Sequence, residues 1–234
     1  SKEEEIVKEV EKIVEKLLEV NRRALERIEE IVRKNLKVNR ELVEEIERIV
    51  EELIRTGDVD ERVKRELRRR LEKVKEDSER VLKKLEEDLR RVKRRSEDTL
   101  RRLREELKRL KEELRDGDRS GDELEEALKK ILKKSEEHVR ELEEIVRRLL
   151  EKSREHLEEL VRIAKRLLDE ARKRKNVPEE MLRRVLKKIE EVIRRAREEH
   201  EKSTRELEEV IKELKKRHED VTREAKKVID DLKR

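Results

Sequence analysis

Only three places in the chain can break a helix. The three Gly and the single Pro fall at "RTGDVDERV" around Gly57, "RDGDRSGDELEE" around Gly117 and Gly121, and "RKNVPEEM" around Pro178. Between them apolar residues recur with the period of a helix, not the alternation of a strand. The first stretch carries Val7, Val10, Val14, Leu17, Leu25, Ile28 and Val32 on one face. The second carries Leu67, Leu71, Val74, Leu82, Leu85, Leu89 and Val92. This pattern predicts four helices, over about 2–56, 59–116, 122–175 and 178–233. Each would be roughly 80 Å long at about 1.5 Å per residue.

The breaks also carry start and stop chemistry. Gly57 suits a helix C-terminus, with Asp58 as the next N-cap and Glu61 completing a capping box. Asp122 and Glu125 repeat the box, Asn176 ends the third helix, and Pro178 opens the fourth at its first position. Connections this short make sequential helices antiparallel. The expected fold is therefore all-α: a long, nearly straight antiparallel up-down-up-down four-helix bundle. It forms a single domain, with hairpin 1–117, linker 118–121 and hairpin 122–234.

Composition alone would also suit disorder, since 59% of residues are charged and 32% hydrophobic. The periodicity decides for helices. Lys and Arg number 71 against 66 acids, a net charge of +5, so the surface mixes both signs and no nucleic-acid partner is expected. Without Cys there is no disulfide or thiolate chemistry. No apolar run approaches the roughly 20 residues of a membrane helix, and "SKEEEIVKEV" is not a signal peptide. A soluble protein with no membrane partner and no address signal is expected.

Inside the helices lies an eighteen-residue repeat. "LEVNRRALERIEEIVRKN" (18–35) is followed by "LKVNRELVEEIERIVEEL" (36–53), and "REEHEKSTRELEEVIKEL" (197–214) by "KKRHEDVTREAKKVIDDL" (215–232). Eighteen residues make five turns at about 3.6 per turn, so the pattern returns to one face and suits straight helices. The histidines keep this spacing in "SEEHVREL" and "SREHLEEL".

Antiparallel pairing then sorts the polar residues by height. His138 and His218 are equally far from Pro178, and so are His156 and His200. Asn21 with Ser96, and Asn39 with Ser78, are both centred between Asp58 and Val59. The reading gives two four-residue layers: Asn21, Ser96, His138 and His218 in one, Asn39, Ser78, His156 and His200 in the other. They would lie about 27 Å apart along the helices. Ser135, Thr222 and Thr99 flank the first layer; Ser153, Ser203, Thr204 and Asn35 surround the second. Hydroxyls and amides complement the donor and the acceptor of a neutral imidazole.

Such layers fix register in a helical core. Sealed, neutral imidazoles also resist protonation, so acid should weaken the fold. Zinc is not expected, because no Cys is present and no acid shares the stripe at those levels. Ser-x-x-His lacks an oxyanion loop and an orienting acid, so no enzyme is expected. The Leu, Ile and Val layers look filled, which leaves no cofactor and no small-molecule partner. The stripe of the first helix is broad: Val20 and Val38 extend one edge, and Leu18, Leu36 and Ile54 the other. Either this helix is the most central of the four, or its margin packs on another copy in an oligomer or filament.

The repeats, the paired "VNR"/"RRSEDT" and "EEHV"/"KRHED" segments, the Lys/Arg/Glu surface and the lack of aromatics and Gln together resemble de novo designed helical bundles with buried hydrogen-bond networks. The likeness is specifically to histidine-network designs made as pH-responsive switches, and it covers the whole chain. It implies two complementary helical hairpins that acid separates or unfolds. Here "DGDRSGD" joins the halves, so a tethered pair would open rather than drift apart. Related designs build larger assemblies, which implies self-association as the alternative role, with the histidine layers serving packing specificity.

Overall fold

A computed structural model describes residues 2–56, 60–115, 121–173 and 178–233. Four helices account for almost all of them: α1 (Lys2–Thr56), α2 (Glu61–Arg115), α3 (Gly121–Arg172) and α4 (Glu179–Lys233). The chain is an all-α four-helix bundle. Leu, Glu, Lys and Arg are good helix formers, and pairs such as Arg22 with Glu26 and Arg140 with Glu136 bridge successive turns. None of the helices is long and apolar enough to cross a membrane.

The helix starts differ from expectation by one or two residues. Asp60 caps α2: its carbonyl accepts from Val63 and Lys64, and its carboxylate accepts from the Arg62 amide at 3.2 Å. Glu61 is consequently the first helical residue and not a capping-box partner. Pro178 likewise stands just before α4 and accepts from Met181 and Leu182. It has no N–H to give, so it serves as a pure acceptor there. Gly121 belongs to α3 and not to the linker, which moves Asp122 from the N-cap into the first turn. There its charge faces the positive end of the helix dipole. The expected roles of Gly57, Asp58, Gly117 and Asn176, and linker positions 118–120, lie outside the described residues.

The chain forms two compact units, and these are not the two hairpins. Each takes one segment from every helix, because a residue in an antiparallel bundle touches neighbours at its own height. The first unit comprises Ser1–Glu29, Glu87–Val146 and Leu207–Arg234. Its core includes Val10, Leu107, Leu128 and Ala225, one from each helix. Ion pairs close its perimeter: Glu15–Arg104 between α1 and α2, Arg95–Glu141 between α2 and α3, Glu143–Lys215 between α3 and α4, and Lys16–Glu224 between α4 and α1. These pairs set the order α1, α2, α3, α4 around the unit, every neighbour antiparallel.

The second unit comprises Glu30–Glu86 and Arg147–Glu206. Leu42, Leu67, Ile163, Leu167 and Ile189 are almost wholly buried in its core. Glu47–Lys75, Glu66–Arg166 and Glu45–Arg195 join α1 to α2, α2 to α3 and α4 to α1. The apolar margin of α1 is used inside the chain. Leu18 packs on the first core, Val38 and Ile54 pack on the second, Leu36 is buried and Val20 is half-buried. Among the described residues no large hydrophobic side chain is exposed.

Candidate functional site

In the first unit Asn21, Ser135 and His138 are buried, while Ser96 and Thr99 are half-buried. All five line one cleft between α1, α2 and α3. Asn21 Nδ2 donates to Ser135 Oγ at 3.4 Å, a long bond that crosses the interior from α1 to α3. Asn21 Oδ1 and His138 Nδ1 are buried without hydrogen-bond partners. The Glu141 carboxylate stands 3.6 Å from His138 Nδ1, beyond hydrogen-bond length, and its other oxygen is engaged by Arg95. Where a closed hydrogen-bonded layer was expected there is a cavity of about 380 Å³, against the expectation of no small-molecule pocket. Small residues leave that space: Ser96, Thr99 and Ser135 stand where Leu or Ile would pack.

His218 does not share this cleft. It lines a separate groove between α3 and α4 with Lys129, Lys133, Glu136, Glu219, Arg223 and Lys226. Its Nε2 is buried without a partner. Thr222 does not supply one, because its hydroxyl donates to the His218 carbonyl at 2.8 Å. Thr204 does the same to the His200 carbonyl at 2.7 Å. Helical Thr hydroxyls lie beside the carbonyl one turn back, and that bond wins over the imidazole.

The second unit holds a longer chain of hydrogen bonds. Asn39 donates to Asn35 at 3.0 Å, Asn35 to Ser203 at 2.7 Å, and Ser203 to the Glu199 carboxylate at 3.3 Å. Separately, Ser153 Oγ and His200 Nδ1 are 3.0 Å apart and share a hydrogen. Ser78 is buried. His156 is half-buried and enters neither arrangement. Asn39, Ser78, His156 and His200 therefore do not form one bonded layer. Only two of these links cross helices, Asn35 to Ser203 between α1 and α4 and Ser153 to His200 between α3 and α4; the others stay within one helix.

Burial lowers the pKa of all four imidazoles, and it is the largest cause in each case. Glu141 and Glu137 oppose it at His138, with Lys134 reinforcing it. At His156 the opposing acids are Asp77 and Glu155, with Lys152 on the other side. At His200 Arg154 adds to the lowering while Glu201 resists, and at His218 Glu136 and Glu219 resist. The expectation of sealed rings holds only for His138. His156, His200 and His218 are half-buried.

Acids reach both levels, contrary to the sequence reading. Glu199 is the residue that reading missed. Burial raises its pKa, opposed by the Ser203 hydrogen bond. The signal was its place four residues before Ser203 on the inner edge of α4. Among the described residues, no three His, Asp or Glu converge as metal ligands. Compared with family models, curated proteins and solved structures, the chain shows no match.

Proposed function

We propose that the chain is a designed structural protein without enzymatic activity, monomeric at neutral pH, whose imidazoles make its fold sensitive to acid. The observation that carries this reading is the shared environment of the four histidines: all sit on inner helix faces, where burial disfavours the charged ring. The eighteen-residue repeats and the aromatic-free Leu/Ile/Val stripes support the designed origin. The inward packing of the α1 margin supports the monomer.

An imidazole held below its ordinary value binds fewer protons in the fold than in the unfolded chain. Stability is thus complete above about pH 6.5 and falls as pH drops through the window from 6.5 down to the lowered values. Four such groups remove at most about 5.4 kcal/mol per pH unit, four times about 1.36. The test follows helical content from pH 8 to 3 in the native chain and in a variant with His138, His156, His200 and His218 all changed to Asn. The native curve should lose stability between pH 7 and 5, and the variant should show no loss there. Identical curves would remove the histidines from the explanation.

A further inference from the structure

The cleft of the first unit is larger than its polar residues need. Its volume of about 380 Å³ lies within the roughly 300–1,000 Å³ of small-molecule sites. Leu17, Leu25, Leu100, Leu103 and Ile131 supply apolar walls, and the polar lining gathers at Asn21, Ser96, Thr99 and His138. Two atoms of these lining residues, Asn21 Oδ1 and His138 Nδ1, are sealed from solvent without a hydrogen-bond partner, and the nearest acid to Nδ1 is Glu141 at 3.6 Å. Buried polar atoms in a well-packed core are nearly always paired, so two orphans on residues that line one void are a recognition feature. The terminal torsions of Asn and His are broad, so a modest rotation brings either atom to face the void.

Both arginines at the mouth are already engaged, and five acids line it against Arg22, Arg104 and Lys93. Arg22 pairs with Glu19 and Glu26, and Arg104 pairs with Glu15. No guanidinium there is held ready for an anion and the acidic excess repels one, which favours an uncharged ligand.

We propose that this cleft binds a compact, uncharged aromatic alcohol, its rings against the Leu and Ile walls and its hydroxyl satisfied by Asn21 and His138. A hydroxyl donates its one hydrogen to the Asn21 carbonyl oxygen and accepts from His138 in the tautomer that carries the proton on Nδ1. The site shares His138 with the acid response, but binding is read at pH 7.5, above the ordinary histidine value, so the two readings fail separately.

The probes are 2-naphthol and naphthalene, titrated into the full chain at pH 7.5. The protein has no Trp, Tyr or Phe, so probe fluorescence is read against a dark background. The expected result is saturable one-to-one binding, with 2-naphthol several-fold tighter than naphthalene. Asn21→Leu with His138→Leu should erase that preference. Leu100→Phe and, separately, Ser96→Leu fill the cleft at half-buried positions and should each weaken both probes at least tenfold with helical content unchanged. No saturable binding to the native chain overturns the proposal. So does binding that survives both filling variants, or equal affinity for the two probes.

Discussion

Glu199 and the four histidines respond to protons in opposite senses. The carboxyl of Glu199 is raised above its ordinary value of 4.5 by burial, so the folded chain holds its proton more tightly than the unfolded chain does. Its ionisation weakens the fold at neutral pH, and acid relieves that cost as pH falls toward 4.5. Glu199→Gln keeps an acceptor for the Ser203 hydroxyl and removes the charge. Urea unfolding at pH 7 should show a gain of up to about 1 kcal/mol. The variant should also lose more stability than the native chain between pH 7 and 5, because nothing now offsets the imidazoles. An unchanged midpoint at both pH values would remove Glu199 from the balance. At this scale the sequence named the right residue types but not their partners. The spacing placed Asn35, Asn39 and Ser203 on inner faces, yet only side-chain geometry shows that Ser203 turns to Glu199 and that Thr204 and Thr222 turn to their own backbone.

The elements were legible for a plain physical reason. Uninterrupted helical periodicity over more than 50 residues has one regular solution, and three breaks in a chain leave four rods. Their ends were harder, because "DVDER" offers two aspartates two residues apart and each suits an N-cap. Local sequence barely separates them, whereas the bonds from Arg62, Val63 and Lys64 single out Asp60. Asp60→Ala should therefore lower stability by about 0.5–2 kcal/mol, the usual loss of a cap. Urea denaturation followed by helical content measures it. Asp60→Asn, which still accepts from the Arg62 amide, should recover most of the loss; equal damage from both changes would argue against capping.

For the whole molecule the question is which class of contact holds it together. Ion pairs are numerous, but Lys16 and Glu224 are both about half exposed, and such pairs contribute at most about 1 kcal/mol. Leu42 and Leu128 have no exposed surface, and truncating a buried Leu to Ala costs about 2–5 kcal/mol. Core packing in each unit should dominate, with the charged surface supplying solubility and pairing direction. That division was only half readable from sequence. The stripes identify the core, but nothing in them reveals the cleft beside Asn21 and His138, since a void depends on side-chain volumes summed across three helices. Light scattering at pH 7.5 should give a single 28.7 kDa particle. In 1 M salt, where surface charges are screened within about 3 Å, Lys16→Ala should unfold at nearly the same urea concentration as the native chain. Leu42→Ala and Leu128→Ala should each shift that midpoint substantially at either salt concentration. If screening alone shifted it as far as the Leu truncations do, the ion pairs would have to be counted as the principal support of the fold.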